Sequence, residues 1–173
     1  MSWADYVNAY LVNYVDQTNG KTYLNASQHG AIVSNADGAV WAASKDFTLS
    51  KYAIDVEKED GTGTLKIEID EFTNLKNAFD NNGVSTAKGG IRINKEKFLI
   101  VSYDSDKKIM YLKKNGGGAA IAKSNLAFSI AVFSTSLQLT LKVGTTETKQ
   151  NQNPGITNLG VEKLVDFLVA NNL

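Results

Sequence analysis

His29 is the only histidine of the chain, and there is no cysteine. A nucleophile paired with a histidine base could form at one place only, and no serine motif surrounds His29. It opens the apolar run 29–34 and reads as a strand-edge residue rather than a base. Gly116-Gly117-Gly118 could suggest a phosphate cradle. It lies between alternating runs rather than before a helix, so a hairpin turn is the better reading. Asp55, Glu57, Glu59 and Asp60 concentrate acid, but without the glycine and closing glutamate of a calcium loop. GxSxG, HExxH and P-loop patterns are missing. The residues therefore imply no enzyme, no metal and no cofactor.

Aromatic binding chemistry is present instead. Trp3, Tyr6, Tyr10 and Tyr14 recur near the start, with Trp41 further on and Phe167 near the end. Flat rings stack on proline, and indole N–H and phenol O–H can donate to the bare carbonyls of a polyproline II segment. The competing reading of Trp3 and Tyr6 is simple core packing. A tryptophan in an exposed first helical turn argues against it.

These rings need elements to hold them. Ser2 and Asp5 form a capping box, and Trp3, Tyr6, Val7, Tyr10, Leu11 and Tyr14 follow at helical spacing. At the far end Pro154-Gly155 turns the chain. Thr157 or Asn158 is the expected N-cap, and Leu159, Leu164, Val165, Leu168 and Val169 form one apolar face. Between them, residues 16–21 form a polar turn, 29–34 and 39–42 two strands around the turn 35–38, and 51–68 a hairpin. A helix is predicted from Asp70, with Phe72, Leu75, Lys76 and Phe79 on one side and Asn81-Asn82-Gly83 at its end. A meander of short strands runs from 90 to 133. Leu137, Leu139, Leu141 and Val143 alternate, which predicts one more strand on that sheet. Residues 145–153 are almost wholly polar and read as a mobile loop.

With 173 residues, 43% of them apolar, the chain is expected to form a single domain over 1–173 with a real core. Formal charge is zero, which argues against nucleic acid as a partner. The charge is uneven, however. Residues 88–123 hold nine bases and three acids, and residues 51–80 four bases and eight acids. The basic stretch could face an acidic protein or anionic lipid. The N-terminus lacks a signal-peptide pattern, and no apolar run is long enough to span a bilayer, so a cytoplasmic protein is expected.

Five ordered motifs resemble the profilin family. They are the start Ser2-Trp3 with Tyr6, the run Asp37-Gly38-Ala39-Val40-Trp41-Ala42, and Gly90-Ile91-Arg92-Ile93 followed by Lys97-Phe98. Next comes Lys113-Lys114-Asn115-Gly116-Gly117-Gly118 followed by Ile121-Ala122-Lys123-Ser124. The last is Pro154-Gly155 with Asn158, Val161-Glu162, Leu164 and Asp166-Phe167-Leu168. The resemblance implies an α+β fold: a central antiparallel sheet, the N- and C-terminal helices on one face and a middle helix on the other. Three stretches depart from it, at about 14–26, 51–68 and 135–152, and read as insertions.

The resemblance also implies partners and sites. Trp3, Tyr6, Trp41, Phe167 and Leu173 would line a groove for proline-rich, formin-like actin-assembly proteins. Phe167 and Leu173 stand where the family often has residues with a donor. Lys97, Ile100, Lys114, Gly117, Gly155, Asn158 and Glu162 would face monomeric actin. Phosphoinositide lipids are a further implied ligand, and a cytoskeletal association follows. An alternative stays open on sequence: a ligand- or phosphoinositide-binding module on this scaffold without actin binding.

Overall fold

A computed structural model describes residues 1–173. Ser2 opens the first helix: its Oγ accepts from Asp5 N at 3.2 Å, and its own N donates to Asp5 Oδ2 at 2.7 Å. The helix α1 (Trp3–Tyr6) continues directly as a π-helical segment, Val7–Val12. The helical stripe stops there, not at Tyr14. Asn13 is extended and Tyr14 already belongs to strand β1 (Tyr14–Val15). The carbonyl of Val12 is taken by the amides of Ala26 and Ser27, which draws the chain away from helix.

Strands β2 (Thr22–Leu24), β3 (His29–Ser34) and β4 (Val40–Ala43) follow. Next come β5 (Lys51–Glu57), β6 (Thr64–Asp70) and helix α2 (Glu71–Asp80), capped by Asp70 as the sequence predicts. The meander comprises β7 (Ile91–Ile93), β8 (Glu96–Asp104), β9 (Ile109–Lys114), β10 (Gly117–Lys123) and β11 (Ala127–Ser134). Then β12 (Gln138–Val143) and β13 (Thr146–Asn151) lead into α3 (Pro154–Ala170).

The central sheet has the order β4-β3-β11-β10-β9-β8-β7, antiparallel throughout. Alternation divides its side chains between two cores. Phe98, Met110, Leu112, Ile121, Phe128 and Ile130 pack with Leu75 and Phe79 of α2. Ala120, Ala122, Ala127 and Ala131 point the other way, towards Val7, Leu11, Val161, Leu164 and Leu168. Small residues on that face let the terminal helices lie close to the sheet. The terminal helices therefore share one face and α2 holds the other, as expected from the sequence.

Asn153, not Thr157 or Asn158, caps α3: its Oδ1 accepts from Ile156 N at 3.2 Å, with Pro154 at the first helical position. The helix therefore starts one turn earlier, and its buried face is Thr157, Gly160, Val161, Leu164, Val165 and Leu168. Leu159 is half-buried and Val169 exposed.

The first and third insertions join. Strand β12 pairs with β2, not with the central sheet, giving a separate four-stranded sheet β1-β2-β12-β13. Residues 146–151, expected as a mobile loop, form its edge strand, turned by Gly144 at φ +61°. Leu139 of β12 is fully buried, and Tyr14 stacks on Tyr23 at 6.1 Å. Gln152 bolts this sheet to the body: its Oε1 accepts from Ser134 N and its Nε2 donates to the Asn25 carbonyl.

The hairpin β5–β6 pairs only with itself. Its base is held by the fully buried Glu71 carboxylate, which accepts from Ser50 N, the Tyr52 hydroxyl and Lys95 N at 2.8–3.0 Å.

Candidate functional site

Two surfaces carry the residues singled out from the sequence. The first lies where α1, β4 and α3 meet. Trp3 rests on Trp41 with ring centroids 4.9 Å apart, and on Tyr6 at 5.8 Å. Tyr6 meets Phe167 at 5.4 Å. Leu173 is half-buried against the same helix-side core, and its carbonyl accepts from Asn125 N at 2.8 Å. All five residues therefore gather on one face. The capping box sets Trp3 at the helix start, β4 presents Trp41 from the sheet, and α3 delivers Phe167.

Sequence reasoning left one residue out of this group. Tyr10 stacks on Phe167 at 6.4 Å with an interplanar angle of 24° and also neighbours Tyr6 at 6.5 Å. The signal was its place in the stripe Trp3, Tyr6, Tyr10. No protein acceptor engages Trp3 Nε1, Trp41 Nε1, Tyr6 Oη or Tyr10 Oη. Buried side-chain polar atoms without a partner are His29 Nδ1, Ser50 Oγ and Ser129 Oγ, so the Trp3, Tyr6 and Tyr10 donors are not sealed off, and Trp41 is itself 38% exposed. The surface thus combines stacked rings with free donors.

The second surface lies between β8, β9 and the start of α3. Lys97 and Leu99 project from β8, and Tyr111 and Lys113 from β9, by strand alternation, while Val101 sits in an irregularity of β8 between Ile100 and Ser102 and is exposed. Leu99 and Val101 are 55% and 61% exposed, unusual for aliphatics on a strand. A depression of about 400 Å³ runs from Val101 and Tyr111 past Gly117 to Pro154 and Asn158. The Tyr111 hydroxyl donates to Glu162 Oε1 at 2.8 Å, tying α3 to the sheet. Burial, then this bond, pushes the Tyr111 phenol well above its usual range. A side chain at Gly117 would press on the Phe133 carbonyl and on Lys114. Gly155, in the first turn of α3, is exposed.

Lys97, Gly117, Gly155, Asn158 and Glu162 thus flank this surface, while Lys114 only borders its Lys97–Leu99–Lys113 end and Ile100 turns inward. Ile100 packs on the α2-side core. The Lys114 side chain is only 7% exposed: its Nζ donates to Glu96 at 2.9 Å and Gln28 at 3.4 Å and lies 5.8 Å above the Phe98 ring. In a strand, Lys113 and Lys114 point to opposite faces, and Lys113 is the one left exposed.

His29 sits at the end of β3, half-buried. Burial, then the nearby Lys114 charge, depresses its pKa below the usual 6.5. No group of three or more metal-ligating side chains converges anywhere.

A sequence model of the profilin family matches residues 1–173. A profilin of Tetrahymena pyriformis is 39% identical over 155 residues, spanning 84% of this chain and 91% of that protein. Profilin-A of Physarum polycephalum is 26% identical over 171 residues, 99% of this chain and 98% of its own. Among solved structures, Acanthamoeba castellanii profilin IA superposes with a TM-score of 0.63 at 22% identity, over 99% of this chain and all of that one. At that identity the likeness shows the fold.

Proposed function

This chain belongs to the profilin family, and from that premise we propose that it binds monomeric actin and proline-rich segments of actin-assembly proteins on two separate surfaces. The observation that carries the reading is the row of rings Trp41, Trp3, Tyr6 and Phe167 with its unengaged indole and phenol donors. A polyproline II helix has no internal hydrogen bonds, so its carbonyls need donors while its rings need flat apolar partners. Leu173 closes the apolar wall of this groove.

Actin is assigned to the β8–β9–α3 surface: exposed Leu99 and Val101 at its centre, with Lys97, Lys113, Gly117, Gly155, Asn158 and Glu162 around them. An apolar centre within a polar rim suits a protein partner. Ile100 and Lys114 act from behind, by supporting β8 and β9. Holding actin on one surface while a proline tract holds the other raises the local concentration of subunits at a growing filament.

The protein works by binding, without catalysis, as one domain in the cytoplasm at the cytoskeleton. No helix is long and apolar enough to cross a membrane. The basic side of the meander supports anionic phosphoinositide headgroups as a further ligand, although Lys114 and Lys107 already face Glu96 and Asp166. Retention on polyproline resin and co-elution with monomeric actin test the two halves of this reading separately.

A further inference from the structure

Gly20, Gly38, Gly61, Gly83 and Gly116 each follow an asparagine or an aspartate. In such a pair the glycine nitrogen can attack the side-chain carbonyl carbon of the residue before it, with no Cβ in the way. The fold closes four of the five pairs. The amides of Gly20, Gly38, Gly61 and Gly83 donate to main-chain carbonyls at 2.8–3.0 Å. Asn19, Asp37 and Asp60 are held as well, each side chain accepting from the amide two residues on. Gly83 is packed against Tyr103.

Asn115-Gly116 is left open. The two residues form the exposed turn between β9 and β10, where Lys114 pairs with Gly117. Neither the Asn115 side chain nor the Gly116 amide makes a hydrogen bond. Gly116 stands at φ +72° with nothing within 4 Å of where a Cβ would be. Its carbonyl accepts from Thr135 N and Oγ1 at 2.9 and 3.1 Å, which fixes the peptide after Gly116 and not the one before it.

We propose that Asn115 is a spontaneous deamidation site. The Gly116 nitrogen bonds to Asn115 Cγ, the Cγ–Nδ2 bond breaks, and the amide proton passes through solvent to Nδ2, which leaves as ammonia. Water then opens the five-membered imide at either carbonyl, giving aspartate or isoaspartate. Asn115 adjoins Lys97, Leu99, Lys113 and Lys114. Either product therefore sets a carboxylate at the basic end of the surface assigned above to actin, and the consequence for actin rests on that reading. Isoaspartate also adds a methylene to the main chain of the turn. The strand cannot slide to absorb it, because Gly117 already lies against the Phe133 carbonyl.

The test is to hold the full chain in warm, mildly alkaline buffer and to map each Asn-Gly peptide by mass. A gain of water and loss of ammonia is expected at Asn115, with methyl uptake from an isoaspartyl methyltransferase. Asn19 and Asn82 should stay intact in the folded chain and react in urea. No reaction at Asn115, or equal reaction at Asn19 or Asn82 in the folded chain, overturns the assignment. So does silence at those two in urea, since the fold would then not be what protects them. Actin co-elution of the held chain should weaken about two- to fivefold, the range of an exposed charge pair. Asn115→Gln, held alongside, should keep the affinity that it has at the start. Deamidation with unchanged actin affinity overturns the consequence and leaves the site. If the fresh chain does not bind actin, the surface reading fails, while the mass map still decides the site.

Discussion

Trp3 and Trp41 come from a helix and from a strand of the sheet beneath it, yet their rings lie 4.9 Å apart at 36°. Trp41 remains 38% exposed in this contact. A pair that served only the core would be closed to solvent. Trp3→Ala should therefore remove an anchor while leaving the fold in place. Truncating such an anchor costs about 2 kcal/mol or more, about thirtyfold in affinity. Retention on polyproline resin should be lost and co-elution with monomeric actin retained.

Val101 tests the other surface. It is 61% exposed beside the depression that reaches Asn158. Val101→Glu should leave the denaturant midpoint nearly unchanged, because the side chain has no core to disturb. In a complex the new carboxylate would be buried without a partner, weakening actin binding about tenfold or more. Proline binding serves as the folding control, and unchanged actin affinity would move the interface elsewhere.

Glu71 is the polar joint of the fold. Its carboxylate accepts three hydrogen bonds from the β5 side and from the β7–β8 turn. Glu71→Ala leaves three donors without an acceptor, a loss of about 3 kcal/mol or more, visible in urea unfolding. The Tyr52 phenol, pushed up to about 12 by burial and then by its bond to Glu71, should titrate closer to 10.0 in the variant. An unchanged phenol titration would mean that the joint is not formed.

His29 predicts a weak acid dependence. Its folded pKa lies below the unfolded 6.5, with burial as the first cause. The unfolded chain then binds the extra proton as pH falls, so the contribution of His29 is complete above about 6.5 and is lost as pH drops through the folded value. Unfolding midpoints measured from pH 7.5 to 5 should decline, and His29→Gln should flatten that decline. A flat profile for the unsubstituted chain would contradict it.

The succession of helices and strands was legible from the capping box, the apolar periods and the glycine turns, because those signals are local, whereas the face of the sheet that each helix covers was legible only through the family resemblance. That Trp3, Tyr6, Trp41, Phe167 and Leu173 gather on one face was legible only through motif order, since the elements that carry them are far apart in the chain. The pairing of β2 with β12 was not legible. Thr146, Thr148 and Gln150 read as solvated loop, and their pairing partner in β12 registers with the first insertion through contacts no local pattern announces. The burial of Lys114 was not legible either: its place on the surface came from motif order alone, which says nothing of Glu96 on the neighbouring strand, 2.9 Å from its Nζ. Tyr10 was visible in the aromatic stripe, but its neighbour Phe167 lies on the last helix.

The central claim is that one chain holds actin and a proline tract together. Labelled decaproline titrated into the protein, alone and then saturated with monomeric actin, measures this directly. Two separate surfaces predict a ternary complex and decaproline affinities that agree within about twofold, as expected for uncoupled sites. Displacement of the peptide by actin, or failure of actin to bind at all, would contradict the account.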